Sequence, residues 1–296
     1  MKKTILLTVL LLGAAVASLA QTLPVTGTFI NLPYQDVRNK YTNPEGVDGT
    51  DPQMWATKVA EMGEMGMEYL VFMSVANECK AYYPSKLMDW HYPADRQSPV
   101  DAIMDEAAKH GMKVFMSTGW AKDQDDNLRD PAIKGRQIEM MEELAGLYGD
   151  HPAFYGWYLP DETGTYPYYQ DLFIKYVNEY TAFGKSINPS HQVLIAPYGT
   201  NRVKADDTYV RQLEEMKCDV IAYHDEIGVR KSRPEETYAF YEALRKAHDK
   251  AGTSKLWADM EVFEFEGDVY TSALYPAAME RIERQIKSIS PFVDEI

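Results

Sequence analysis

The chain has 296 residues, 45% hydrophobic and 25% charged, the balance of an ordinary globular protein. A formal net charge of −15 argues against a nucleic-acid partner, whose phosphates it would repel, and suits a neutral or weakly charged ligand. The 21 Tyr and 5 Trp supply rings with an apolar face and a polar edge, fitted either to a core or to a sugar surface.

In chain order, Lys2 and Lys3 precede an apolar run over residues 5–16, and Ser18 and Ala20 give the small residues of a cleavage site. Residues 1–20 therefore read as a secretory signal peptide, and residues 21–296 as a single secreted or periplasmic domain. The apolar run is too short to span a bilayer and no comparable run follows, so no membrane insertion is expected after cleavage. Cys79 and Cys218 fall at opposite ends of predicted strands, so no bridge between them is expected.

Seven apolar runs rich in Val, Ile, Phe and Tyr follow, at residues 26–32, 67–74, 112–120, 153–159, 192–198, 219–225 and 254–262. Between them lie stretches of helical spacing. Asp51-Pro52, Ser98-Pro99 and Asp130-Pro131 each place a capping side chain before a first-turn proline, and later helices are predicted over 167–187, 206–216, 234–251 and 275–289. Strict alternation of apolar strands with amphipathic helices predicts a parallel sheet covered by helices. The first strand is followed by NLPYQDVRN and not by a Gly-rich phosphate turn, which argues against an open nucleotide-binding sheet. The long segment after the second strand, residues 75–97, fits the site face of a (β/α)8 TIM barrel. After the seventh helix only SISPFVDEI remains. Residues 292–296 are then a stub of the eighth strand, or the sequence is C-terminally truncated; the reading preferred here is a barrel lacking its eighth strand through truncation.

In a barrel every strand delivers its C-terminal end to one face. The side chains so collected are Asn31, Asn77, Trp120, Tyr158, Asp161, Glu162, Tyr198, Tyr223, His224, Asp225 and Glu261, with Glu264 close behind. No HExxH or other His cluster marks a metal site, and DQDDNLRDPAIK from Asp123 departs from a calcium loop at Leu128 and Lys134, so no metal and no cofactor are expected. Glycosidic cleavage needs a carboxylic acid on the leaving oxygen and a second carboxylate across the sugar, about 5 Å away when that group is a nucleophile. Strands four and seven lie across the barrel mouth and end in Glu162 and Glu261, with Glu264 and Asp259 as substitutes for Glu261. Set against this, Glu162 is equally placed as a first-turn helix acid and Glu261 as a loop acid.

GTFINL, FYGWYLPDE, VIAYHDEIGV and LWADMEVF carry a resemblance covering nearly the whole chain after residue 20. It resembles the clan of retaining glycoside hydrolases whose acid/base and nucleophile stand on strands four and seven (clan A). More closely, it is similar to a family of secreted bacterial barrels known only as a domain of unknown function and considered glycosidase-like. The resemblance implies a carbohydrate substrate, with Glu162 as acid/base and Glu261 as nucleophile. It departs from the clan at Asp161, where an Asn holding the sugar 2-hydroxyl is usual; an ionised Asp only accepts hydrogen bonds. The expected function is thus a retaining glycoside hydrolase, with a non-catalytic glycan-binding barrel as the alternative, in either case a monomer binding sugar through Asn31, Asn77, Trp120, Tyr158, Asp161, Tyr198, Tyr223, His224, Asp225 and Glu264.

Overall fold

The computed structural model describes residues 22–32, 49–117, 119–123 and 126–296. The predicted signal peptide lies outside the described residues. Seven strands form one parallel sheet in sequence order: Gly27–Asn31 (β1), Tyr69–Ser74 (β2), Lys113–Met116 (β3), Phe154–Leu159 (β4), Gln192–Ile195 (β5), Val220–His224 (β6) and Lys255–Asp259 (β7). Each falls inside its predicted run. Seven helices cover the outside: Pro52–Glu64 (α1), Pro99–Lys109 (α2), Pro131–Tyr148 (α3), Asp171–Ile187 (α4), Asp207–Glu215 (α5), Pro234–Ala251 (α6) and Met279–Ile289 (α7).

Local chemistry sets the helix starts. Asp51 accepts the Gln53 N–H at 2.9 Å, Asp130 accepts that of Ala132 at 2.8 Å, and Ser98 with Asp101 forms a reciprocal capping box. Two predicted starts move. The fourth helix begins at Asp171, because residues 163–165 turn aside to pair with Tyr198. The seventh begins at Met279, because Leu274–Pro276 is a strand paired antiparallel with Phe263–Phe265. The excursion after β2 likewise carries three short strands, Ala76–Asn77, Lys80–Ala81 and Trp90–His91.

Strand alternation sorts the core into two layers. Along β2, Leu70 and Phe72 pack outward against the helices, whereas Tyr69 and Val71 point into the sheet's hollow. There they meet Phe115, Tyr158, Leu194, Ala222 and Trp257. The Trp257 ring, on β7, lies 4.8 Å from Tyr69 and 5.9 Å from Phe115, so rings from β2, β3 and β7 touch across the hollow and the sheet is curled. Trp157, one residue before Tyr158, faces the other way and is enclosed beneath the helices.

The gap between β1 and β7 is held by the last residues of the sequence. Ala258 N–H donates to Glu295 O at 3.0 Å, Asp294 N–H to Leu256 O at 2.7 Å, and Thr26 N–H to Ile296 O at 2.9 Å. Thr26 Oγ1 adds a bond to Glu295 Oε2 at 2.7 Å. The regular sheet has seven strands, as expected, and residues 294–296 act as a short eighth rung that satisfies edge groups on both sides. Cys79 and Cys218 are both free. No helix among the described residues is long and apolar enough to cross a membrane.

Val293 and Ile296 are buried, so removing residues 293–296 costs on the order of 3 kcal/mol from apolar burial alone and leaves two unpaired edges. Urea unfolding of the shortened chain is expected to show that loss together with a tendency to self-associate; an unchanged midpoint would show that the rung does not close the sheet.

Candidate functional site

The strand ends meet at one imidazole. On β6, inward alternation carries Ala222 and His224 into the hollow and sends Tyr223 outward; past the strand end, Glu226 also lines the hollow and Asp225 does not. His224 Nε2 stands 3.3 Å from Asp259 Oδ2, at the end of β7, and 4.0 Å from Glu162 Oε2, just past β4. Its Nδ1 stands 3.8 Å from Glu261 Oε1. One ring nitrogen thus reaches carboxylates from two strands, which limits the facing oxygens of Glu162 and Asp259 to about 7 Å apart; Glu162 and Glu261, on opposite sides of the ring, are at most about 10 Å apart.

The electrostatics follow from that crowding. Burial, the largest influence, opposes a charged imidazole, but the carboxylates of Asp259, Glu261 and Glu162 outweigh it and push His224 up to about 10. Asp259 is pushed up to about 6 by burial, against the pull of His224 and with further upward pressure from Glu162 and Glu261. His224 is therefore cationic at neutral pH and fixes the two arms of the site to one positive centre.

Each glutamate has a further anchor. Glu162 Oε1 accepts the buried Tyr158 hydroxyl at 3.3 Å. That phenol is held far above its usual range, by burial first and then by the charge of Glu162, so it stays a donor. Glu261 is 7% exposed and its Oε2 accepts the Val229 N–H at 2.8 Å. The Glu261 backbone is clamped from behind. Its N–H donates to Asp225 Oδ1 at 3.1 Å, while Arg281 Nη2 and Gln285 Nε2, both from α7, donate to its carbonyl at 2.8 and 3.1 Å.

Two cavities open onto this cluster. The larger, about 1090 Å³, is lined by His224, Glu226, Asp259, Glu261, Tyr198 and Lys231 among others. The smaller, about 430 Å³, is lined by Asn77, Trp120, Arg129 and Asp161 among others. Asn31, Met73 and Glu162 line both. Asp161 forms an ion pair with Arg129 Nε at 3.1 Å, and burial raises its carboxyl despite that cation.

Of the side chains singled out in the sequence, Asn31, Asn77, Trp120, Tyr158, Asp161, Glu162, Tyr198, His224 and Glu261 line one or both cavities. Three are placed elsewhere. Tyr223 is fully enclosed on the helix side, bonded to the Tyr209 hydroxyl at 2.8 Å and to His248 Nε2 at 3.0 Å. Asp225 is buried behind the site, where Gln285 Nε2 donates to it at 2.6 Å; burial and the Glu261 charge push its carboxyl up to about 7. Glu264 lines neither cavity and instead faces Arg281 at 3.7 Å and the Tyr275 hydroxyl at 3.1 Å. Alternation along β6 could have removed Tyr223 and Asp225 and added Glu226, whose Oε2 holds the Gly199 N–H at 2.9 Å. Arg129 carried no strand signal, since it sits in the loop after β3 that the sequence reading tested only for calcium.

Fold and site together define a parallel β/α barrel with a carboxylate-rich mouth. The chain belongs to the family described as Domain of unknown function (DUF4434), whose model matches residues 25–296. No curated protein matches it in sequence. Among solved structures, a proposed alpha-L-fucosidase from Bacteroides thetaiotaomicron matches at TM-score 0.73 and 16% identity, over 100% of this chain and 89% of that one. A GH2 beta-galacturonidase from Eisenbergiella tayi bound to galacturonate matches at TM-score 0.55 and 13% identity, over 90% and 41% of the two chains. A GH5_18 enzyme from Streptomyces cattleya in complex with Manβ1-4GlcNAc matches at TM-score 0.53 and 16% identity, over 81% and 63%. At these identities the likenesses establish the fold.

A His224 raised from 6.5 to about 10 stabilises the fold fully below about pH 6.5 and loses that contribution as pH rises toward 10. Replacing it by Gln should flatten the pH dependence of unfolding over that interval by up to about 5 kcal/mol. Parallel denaturant titrations at pH 6 and pH 10 measure the difference; equal slopes in both proteins would mean that the ring is not held charged.

Proposed function

We propose that this protein is an exported glycoside hydrolase that cleaves O-glycosidic bonds of an oligo- or polysaccharide by a retaining, two-step route. The observation that supports a hydrolase is that glutamates from strands four and seven converge on one half-buried imidazole, at 4.0 and 3.8 Å; the retaining route rests on the resemblance to the strand-four and strand-seven clan. The fold likeness to glycoside hydrolases supports the same class. Export is supported by the basic and then apolar leader of the sequence.

In the first step Glu162 gives its proton to the glycosidic oxygen as Glu261 attacks the anomeric carbon, breaking the C–O bond to the leaving group and forming a glycosyl ester on Glu261. In the second, Glu162, now ionised, takes a proton from a water that attacks the same carbon and restores the Glu261 carboxylate. The Val229 N–H holds Glu261 Oε2 and the His224 ring faces its Oε1, which orients the carboxylate as a nucleophile requires. Asp259, held near 6 in the same cluster, adds negative charge facing the positive charge that develops on the sugar ring.

One observation favours a second reading, a barrel that binds glycans without cutting them. Asp161, which stands where the clan has an Asn on the sugar 2-hydroxyl, is paired with Arg129. Calorimetry that finds tight oligosaccharide binding by the unmutated protein, with no product released, would select that reading.

On any glycoside that the unmutated protein cleaves, Glu162→Gln and Glu261→Gln are each expected to lower kcat/KM about 1000-fold with little loss of folding. Azide should partly restore the Glu261→Ala variant by forming a glycosyl azide of inverted configuration. Full activity in both Gln variants would end the assignment.

A further inference from the structure

The smaller cavity has no part in the two bond-changing steps, yet it opens on the same glutamate. Glu162 and Asn31 line both spaces, so a glycosidic oxygen placed on Glu162 has one sugar on each side. The sugar whose anomeric carbon faces Glu261 occupies the larger cavity. The other must enter the smaller one, at about 430 Å³ within the range of small-ligand sites.

The lining shows what that second sugar must be. Arg129 spends its Nε on Asp161 at 3.1 Å and on Asn127 Oδ1 at 3.3 Å, and its two terminal nitrogens have no partner among the described residues. Asp161 Oδ2 is fully buried and, although ion-paired, has no aligned hydrogen bond; Asn31 Oδ1 is buried with no partner among the described residues. Asn77 uses its oxygen on the Glu78 N–H at 2.9 Å and leaves its amide nitrogen open. Open donors and open acceptors therefore line one small space, a mixture suited to sugar hydroxyls, each of which both gives and takes a hydrogen bond.

Charge excludes an acidic ligand. Arg129 and Asp161 cancel, and Asp126, also in the lining, is committed to the Lys122 and Asp123 N–H groups at 2.7 and 3.1 Å. A carboxylate or sulfate would meet these acids and Glu162, and the one cation among the described lining residues, Arg129, is already paired with Asp161. Trp120 supplies the apolar wall. Its backbone is fixed by an N–H bond to Ala76 O at 3.1 Å, and it follows Gly119, whose φ of 69° no side-chain-bearing residue adopts readily.

We infer that this cavity is the leaving-group subsite and that it takes an uncharged sugar ring, read through its hydroxyls by the Arg129–Asp161 pair, Asn31 and Asn77, with Trp120 against its face. The inference rests on the hydrolase reading for the word leaving-group only. Arg129 is then a specificity-determining residue: the natural substrate is at least a disaccharide, and a glycoside with a small aromatic leaving group forgoes these contacts.

The test uses the Glu162→Gln protein, to stop turnover, and isothermal titration with cellobiose, mannobiose, xylobiose, lactose and maltose beside the matching methyl monosaccharides. At least one disaccharide should bind tenfold or more tighter than its monosaccharide. That advantage should fall to threefold or less in both Arg129→Met and Trp120→Ala versions, with thermal melts confirming that each is folded. Binding of none of the five, an advantage that survives both substitutions, or tighter binding when the reducing-end sugar is a uronate would overturn the inference. Turnover by the unmutated protein is read separately. Cleavage without the advantage ends the subsite alone, whereas the advantage without cleavage ends the hydrolase reading and removes the leaving-group role from a sugar site.

Discussion

Three carboxyl groups around one half-buried imidazole are the constraint to which the rest of the site answers. Like charges this close cannot all persist in a half-buried cleft without a cation among them, and His224 is that cation. Much of the surrounding architecture serves to keep the cluster in place. Tyr158 holds Glu162 from below, the Val229 N–H holds Glu261 from the side, and α7 reaches in with Arg281 and Gln285 to fix the Glu261 backbone. The last residues of the sequence keep β7 tied to the segment entering β1, and so hold one wall of the site against the other.

This arrangement separates two roles that carboxylates play in such a cleft. Glu261 is oriented by the Val229 N–H, whereas Asp259 is lifted toward neutrality by burial and its carboxylate neighbours. Two acids from the same β7 terminus thus receive different environments within three residues. Asp225, directly behind, is a third case. It is buried and lifted to about 7; its Oδ1 accepts the Ile227 and Glu261 N–H groups, and its Oδ2 accepts from Gln285 Nε2. Its work is positional, and its distance from both cavities follows from the outward parity of its place after β6.

The barrel was legible because its signals are local and repeated: cap-plus-proline starts at residues 51, 98 and 130, and apolar runs at regular intervals. Glu162 and Glu261 were legible as strand-end residues for the same reason. What sequence could not supply was the direction of side chains once the exact strand end is uncertain. Reading three consecutive residues at the end of β6 as site residues ignored strand alternation, which places Tyr223 in the core on the helix side. The Phe263–Phe265 and Leu274–Pro276 pairing was hidden because Tyr275-Pro276 reads as a helix start and no tight-turn signal joins the two short strands. Arg129 escaped notice because its importance comes from meeting Asp161 across two loops.

The central claim, that Glu261 attacks the sugar opposite Glu162, is tested most directly by trapping the ester. Mass spectrometry of peptides after incubation with 2-deoxy-2-fluoroglycosyl fluorides matched to a cleaved substrate should find the sugar on the peptide containing Glu261, at that side chain. Label on Asp259, or no label from a reagent whose parent glycoside is turned over, would contradict the account.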